Sequence, residues 1–443
     1  MFQLGDILKT IREEKGLQLS EIQQQTGIDA SQLSRFETGK RLPTVEQLDI
    51  LSNLYQIDSA LLRIERESDK IITSFDDPEL GLKSLEVAKE KLLLGQKYLN
   101  MFRDSNLSEP FGLSSRRYIG SKAKLVDWIF ETLAAETHDV HSFCDIFAGT
   151  GVVGEYAVQM YDHVILNDLL YSNNVIYNAF FAPGKWDREK LCDIITGYNA
   201  LDTDTIQPNY FSDNFGGKFF EESEAKRIGY IRQDIENRRH TLTEKEYNVL
   251  LATLIYNIDK IANTLGHFEA YIQKPIAHKP LYLKLIEAKS IPGVQIYRDD
   301  ANHLARRIHS DLVYIDPPYN SRQYSRFYHV YETLVKWDYP DLFGVAMKPR
   351  PENMSDYCSN RAADAMRDLV QHLDCHYIAV SYNNTYKSKS SSSENKIQLE
   401  ELRGILEDVG PTTVHEHKHR AFNAGKTDFK DHKEYLFITT VNE

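Results

Sequence analysis

Four cysteines in 443 residues, Cys144, Cys192, Cys358 and Cys375, form no C-x-x-C pair, which argues against a disulfide framework and against a structural zinc site. No apolar run approaches the roughly 18 residues that a membrane span needs. The first thirty residues alternate apolar and charged side chains, so they are not read as a secretory leader, and the chain is expected in the cytoplasm. Basic residues are in deficit: 52 Lys and Arg against 65 Asp and Glu give a net charge of −13. Dedicated DNA-binding domains are usually basic, so any nucleic-acid recognition must come from a local surface. There is no internal repeat. What is present, 42% hydrophobic and 26% charged residues, is ordinary for a soluble chain of two or three domains.

Residues 1–64 read as five short helices within a unit placed at 1–66. Ile7, Leu8 and Ile11 share a face; Leu19 and Ile22 follow a turn at Gly16, and Gly27 ends that helix. Leu33 and Phe36 mark a third helix, stopped by Gly39. Thr44-x-x-Gln47 is the pattern of a capping box opening a fourth, with Val45, Leu48, Leu51 and Leu54 inward. Residues 67–113 are assigned to a linker and a connecting helix carrying Leu85, Ala88, Leu92 and Leu99. From Arg116, alternating strand and helix patterns predict a parallel α/β sheet within a unit at 114–443, interrupted at about 185–290 by a polar, mostly helical insertion. The run Lys387–Ser393 is a loop by composition.

The string Leu19-Ser-Glu-Ile-Gln-Gln-Gln-Thr-Gly27-Ile-Asp-Ala-Ser-Gln-Leu-Ser-Arg-Phe-Glu37-Thr-Gly39, with Pro43 and the Leu48/Leu51/Leu54 helix after it, resembles the repressor-type helix-turn-helix of the Cro/C1 family. The resemblance implies that the helix opening near Ala30 lies in the major groove, with Gln32, Ser34 and Arg35 outward. Glutamine and arginine suit adenine and guanine edges. Ser20 and Gln23 fall where the preceding helix could reach phosphates. A homodimer through this unit is expected; a similar bundle used only for protein contacts is the alternative.

The segment His141-Ser-Phe-Cys-Asp145-Ile-Phe147-Ala-Gly149-Thr-Gly151-Val-Val-Gly154 reads as strand, glycine-rich turn and helix. Glycines at such a turn let a ligand approach the backbone. A second strand, from His163, ends at Asp168, 23 residues beyond Asp145, where an acid typically holds ribose hydroxyls. D-x-F-x-G-T-G resembles motif I of S-adenosyl-L-methionine-dependent methyltransferases, and Asn167-Asp168 resembles their motif II. That resemblance implies S-adenosyl-L-methionine as cofactor, with Asp145 beside its methionine end, Phe147, Gly149 and Gly151 along the same turn, and Asp168 on its ribose. Tyr118-Ile-Gly120-Ser-Lys122 resembles the x-x-G-x-K motif that precedes motif I in the alpha group, whose role is to cover the methionine carboxylate. The strand from Val294 brings Asp300 to where the family contacts the cofactor's adenine, with Asp299 competing for that place. A dinucleotide-binding fold is the alternative for this region and is set aside.

Asp311-Leu-Val-Tyr-Ile-Asp316-Pro317-Pro318-Tyr319-Asn320 is a short apolar strand that ends abruptly. Two prolines remove two backbone donors and stiffen the turn, at the edge where open α/β sheets bind substrates. An exocyclic amino group is a poor nucleophile because its lone pair is delocalised into the ring. Acceptors on its hydrogens, Asp316 and the Pro317 carbonyl, would draw it toward a tetrahedral nitrogen, while Tyr319 stacks on an extruded base. Methyl transfer then follows from proximity and orientation, with no metal required. D-P-P-Y resembles motif IV of the amino-methyltransferases, and its aspartate implies adenine N6. No cysteine follows a proline, as a C5-cytosine enzyme needs. The motif order resembles the alpha group of DNA adenine methyltransferases, implying a Rossmann-like sheet with an inserted target-recognition region.

Ser321 to His329, basic and aromatic, resembles a loop directly after D-P-P-Y in one branch of that family. Arg322, Tyr324 and Arg326 are expected at phosphates and around the extruded base, against the alternative of a helix cap with buried aromatics. In the insertion, Asn209–Gly217 and Asn263–Tyr271 resemble target-region stretches of the same branch, with Arg227, Arg232 and Lys274 as candidate contacts. A strand near Ile378–Asn384 brings Ser381 and Asn383 toward the site. His415, His417 and His419 alternate along a strand but lack an acid or cysteine to complete a metal cluster. The expected partners are double-stranded DNA and a restriction endonuclease encoded nearby. A transcriptional regulator with a non-catalytic methyltransferase domain, and an RNA adenine methyltransferase, are the competing readings.

Overall fold

The computed structural model describes residues 4–73, 75, 85, 111–273, 276, 278–385, 394–418 and 433–442. The chain divides into two compact units, 1–103 and 104–443. The helix expected from Leu85 to Leu99, the loop at Lys387–Ser393, Lys274 and His419 lie, apart from Leu85 itself, outside the described residues.

The first unit holds five helices: α1 (Leu4–Glu14), α2 (Leu19–Thr26), α3 (Ala30–Glu37), α4 (Val45–Tyr55) and α5 (Ser59–Ile72). Leu8, Ile22, Leu33, Phe36, Leu48 and Leu51 meet in one core. Asp29 caps α3 by accepting the Ser31 N–H. Thr44 and Gln47 exchange both bonds of the expected capping box, at 3.2 and 2.9 Å. Two expectations are corrected. Val45 is 40% exposed, because it is the first helical residue and the inward stripe begins at Leu48. The boundary at 66 falls inside a helix: the polar run there is the outer face of α5, whose buried Asp69 accepts the Leu4 N–H at 2.9 Å. Arg12 and Glu37 pair through two bonds, 2.6 and 2.9 Å, tying α1 to α3.

The second unit is built on a seven-stranded sheet: β1 (Ser142–Asp145), β2 (His163–Asn167), β3 (Val294–Tyr297), β4 (Leu312–Ile315), β5 (Tyr377–Asn383), β6 (Thr412–Lys418) and β7 (Lys433–Thr440), in the order β3-β2-β1-β4-β5-β7-β6. The first five strands are parallel; β7 runs antiparallel to β5 and β6. The short apolar runs of β1, β2 and β4 are buried because helices cover both faces. The order reverses between β1 and β4, which places the ligand crevice at their carboxyl ends. At the opposite ends Asp311 fixes this pair, its carboxylate accepting the His141 and Ser142 N–H groups and the Ser142 hydroxyl at 2.8–2.9 Å.

The insertion is helical, at Arg188–Asn199, Tyr210–Phe215, Glu222–Asn237 and Glu244–Ile261. It is not an autonomous body: Phe211, Phe215 and Ile228 belong to the same apolar core as Phe143 and Leu166 of the sheet. The helix Glu244–Ile261 is buried nearly all round, consistent with its central place in that core. The connector assigned up to residue 113 also enters it, since Leu113 is fully buried and the Phe111 carbonyl accepts the Glu287 N–H at 3.1 Å. Among the described residues, no helix is long and apolar enough to cross a membrane.

Candidate active site

Three loops converge at the switch point. The first follows β1. Gly149 and Gly151 take φ of +52° and +81°, the left-handed region that glycine adopts without strain. The Gly149 N–H donates to Asp168 at 3.0 Å, so the turn after β1 is locked to the acid after β2. A Cβ on Gly154 would stand 2.4 Å from Leu166, so this third glycine lets the helix Val152–Met160 lie close on β2. Gly149, Gly151 and Gly154 are therefore spaced G-x-G-x-x-G. Glycine spacing alone does not separate this turn from a dinucleotide site; the turn after β4 does.

Asp145 closes β1 and is 1% exposed, with one carboxylate oxygen lacking a partner. Burial, and then the neighbouring Asp316 and Asp168, push its pKa well above the carboxylate range. Burial also raises Asp168, against the bonds it accepts from Leu170, Asn173 and Gly149. Phe147 meets Tyr357 edge to face at 5.0 Å. Asp300 caps the short helix Ala301–Ala305, accepting from Asn302 and His303, and borders a cleft with Tyr357. Its rival Asp299 is paired with Arg307, so of the two it is Asp300 that lines that cleft, with Asp356, Asp364 and Asp368.

The second loop carries Tyr118, Gly120 and Lys122. The Tyr118 ring stacks on Tyr328 at 4.6 Å, and its hydroxyl accepts from Asn173 at 3.2 Å. The Ile119 N–H donates to the Tyr328 hydroxyl at 2.9 Å, and its carbonyl accepts from the Tyr324 hydroxyl at 3.1 Å. Lys122 is 5% exposed and crosses the site: its ammonium lies 2.8 and 2.7 Å from the two oxygens of Asp316 and donates to the Tyr319 hydroxyl at 2.8 Å. Burial works against that charge, but Asp316 and Glu434 outweigh it and raise the lysine's pKa.

The third loop is the Asp316-Pro317-Pro318-Tyr319 turn after β4. Tyr319 does not stand free for stacking: its hydroxyl bonds to Asp316, and its ring packs edge-on against Tyr382 at 4.7 Å. A phenol at this half-buried place satisfies its hydroxyl by turning toward the carboxylate and ammonium. Burial, then Asp316, pushes its pKa far up.

The loop from Ser321 to His329 is partly diverted inward. Tyr324 is spent on the Ile119 carbonyl, and Arg326 donates to the Pro349 carbonyl at 2.5 Å. Phe327 carries the insertion, accepting the Phe268 N–H at 2.8 Å and stacking on His267 at 4.8 Å. Two insertion candidates also fold inward. Arg227 donates to the Tyr198 carbonyl, and Arg232, 1% exposed, donates to the Leu334 and Val335 carbonyls. Arginine reaches carbonyls lacking helical partners better than an apolar side chain does, so a basic residue in a recognition region is not by itself a DNA contact. On β6, His415 lies 3.3 Å from Glu136 and His417 packs on Trp128. In the helix-turn-helix unit Ser34 and Arg35 are exposed on α3, whereas Gln32 is half-buried and accepts from the Gln47 side chain at 3.3 Å.

The sequence reading missed Glu434, Arg116 and Tyr177. Glu434 is buried on β7, a strand with no motif. Arg116 is buried over the Tyr118 ring and donates to Asn173 at 2.8 Å. Tyr177 donates to the Gly149 carbonyl at 2.8 Å.

Residues 118–405 match the family model of D12 class N6 adenine-specific DNA methyltransferases, and residues 8–62 match a helix-turn-helix model. The chain is 32% identical to the Type II methyltransferase M.NlaIII of Neisseria lactamica and 30% identical to M.CviAII of Paramecium bursaria Chlorella virus 1. Each alignment covers 98% of the relative but 72% and 74% of this chain respectively. It is also 30% identical to M.FokI of Planomicrobium okeanokoites over 52% of that protein. With its motifs brought to one crevice, the chain belongs to the D12 class N6 adenine-specific DNA methyltransferases and carries a helix-turn-helix unit besides.

Proposed function

We propose that the three loops form one methyl-transfer site in which Asp316, with the Pro317 carbonyl, accepts the hydrogens of an extruded adenine amino group. The observation that carries this is the adjacency of β1 and β4, which sets Asp145 beside Tyr314 and so brings the glycine turn against the D-P-P-Y turn. The family uses S-adenosyl-L-methionine, and the residues fit it. Asp145 has a buried, partnerless oxygen suited to a cationic amine, and Gly149 lacks the side chain that would otherwise stand 3.5 Å from Tyr118. Lys122, turned to Asp316 and Tyr319, lies outside the set that would hold the cofactor, which is Tyr118, Gly120, Asp145, Phe147, Gly149, Gly151, Asp168 and Asp300. When bound it supplies an electrophilic methyl on sulfur. Asp316 and Pro317 orient and polarise the amino nitrogen, Pro318 stiffens their turn, and Tyr319 covers the base after giving up its inward bond.

Arg322, beside the Phe327 ring, is the proposed phosphate contact near the crevice, with Ser34 and Arg35 in the helix-turn-helix unit. Gln32, Tyr324 and Arg326 serve mainly to hold structure. The relatives are Type II methyltransferases, which supports a cognate endonuclease as partner. The exposed Leu61 and Ile64 of α5 support a homodimer through the first unit. The test is Asp316→Ala with parallel assays of tritiated methyl incorporation and cofactor affinity, and mass identification of the modified nucleoside. The expected result is lost transfer, retained cofactor binding and N6-methyladenine from the wild type. Variant activity within about tenfold of wild type, roughly 1.4 kcal/mol of barrier, would sink the assignment.

A further inference from the structure

We propose that Glu434 is a positioning residue for methyl transfer: a buried counter-charge that draws Lys122 away from Asp316 and so frees Asp316 to accept the adenine amino group. The proposal rests on the reading of Asp316 given above. Its geometry comes from the sheet. Asn383 pairs with Glu434, and Ser381 with Leu436, across β5 and β7. Strand alternation puts Glu434 on the face of Leu436 and Ile438, which pack in the same core as Phe143, Leu312, Tyr314 and Ala379. That face leads to Asp145 at the end of β1 and Asp316 just past β4. Lys122 enters from the same side.

Lys122 is thus a buried ammonium bonded to Asp316 and within electrostatic reach of Glu434 and Asp145. Lys122 grips both oxygens of Asp316, while Glu434 is 6% exposed and has an oxygen with no partner. A buried carboxylate without a partner is costly when ionised. A carboxylate held at both oxygens by an ammonium, and again by the Tyr319 hydroxyl, is a poor acceptor for an amino N–H. Ionised Glu434 offers the ammonium a second acceptor; neutral Glu434 leaves it on Asp316.

Burial, with Asp316 adding to it and Lys122 opposing, pushes the Glu434 pKa up to about 7. The charged and titratable groups around it are Lys122 from the loop before β1, Tyr314 from β4, Asp316 and Tyr319 from the turn, and His417, its cross-strand partner on β6. Because Glu434 and Lys122 interact, the inflection belongs to the pair.

The experiment measures kcat at saturating cofactor and DNA from pH 5.5 to 9 for wild type, Glu434→Gln and Asp316→Ala, with cofactor affinity and thermal melting for each. Wild-type kcat should rise through an inflection near neutral pH. Glu434→Gln should lower kcat by about tenfold or more with cofactor affinity unchanged, and lose the inflection. Adding Lys122→Gln to Glu434→Gln should restore part of kcat at saturation, which a merely structural Glu434 would not allow. If Glu434→Gln keeps wild-type kcat and inflection while Asp316→Ala is dead, the proposal fails alone. If Asp316→Ala is active, the underlying reading fails. If Glu434→Gln does not fold, a wild-type kcat flat across this range overturns the proposal.

Discussion

Asp145 illustrates the conflict between stability and function at a single residue. Its carboxyl group is buried, has a partnerless oxygen, and is pushed well above the carboxylate range by burial and by Asp316 and Asp168. A folded pKa above the unfolded one means that the fold loses stability as pH rises from about 4 toward the raised value. Asp145→Asn removes that ionisation. The variant should melt higher than wild type at neutral pH, by about 1 kcal/mol, and the gain should vanish toward pH 4. It should also bind S-adenosyl-L-methionine much more weakly, because the cationic amine loses its counter-charge. Calorimetric melting and titration of cofactor test both halves; lower stability at pH 7 with intact affinity would refute the argument. Asp145 was legible in the sequence because it stands in a motif. Glu434 was not: its importance comes from register with Asn383 across a strand pair joined through long-range contacts.

Elements set where such residues meet. Asp311 pins the start of β4 to the start of β1, and the reacting ends of both strands inherit that register. Burial pushes the Asp311 carboxyl up, but the bonds from His141 and Ser142 outweigh it and its pKa falls. A folded pKa below the unfolded one means that its contribution is present above pH 4 and is lost as pH falls through the folded value. Asp311→Ala should therefore destabilise the second unit by about 2 kcal/mol at pH 7, with the difference from wild type shrinking below pH 4. Urea unfolding at both pH values checks this; a pH-independent difference would mean the loss is packing alone. Short strands ending in a glycine turn or Asp-Pro-Pro were readable, because their local chemistry stops the element. The fate of basic residues was not: Arg227, Arg232 and Arg326 turn to carbonyls that only the folded chain presents. The extension of α5 to Ile72 was hidden because one buried acid, Asp69, is indistinguishable in sequence from its exposed neighbours.

At the scale of the whole molecule the two units answer to separate cores. Among the described residues, the helical core draws on Leu4 to Leu62, and the sheet's two apolar clusters draw on residues from Phe111 onward. Relatives matched over 98% of their own length align with only about three quarters of this chain, so a methyltransferase of this class is complete without the remainder. We therefore predict that residues 104–443 alone choose the methylated sequence, with turnover on naked DNA within about tenfold of the full chain. Residues 1–72 should bind a separate operator, and do so as a dimer on a palindrome, since one weak acidic unit gains affinity by doubling. The cut belongs near 104 rather than at the family match's start at 118, because Leu113 is buried in the catalytic core and Phe111 is bonded to Glu287. Mapping methylated sites for the full and truncated enzymes, with a footprint of the 1–72 fragment, separates the outcomes. A changed methylation sequence on truncation would assign the helix-turn-helix to target recognition. Unchanged methylation with no specific footprint would leave it a surface for protein contact. An operator footprint upstream of the enzyme's own coding sequence would make it a brake on synthesis, useful wherever excess methylation is harmful.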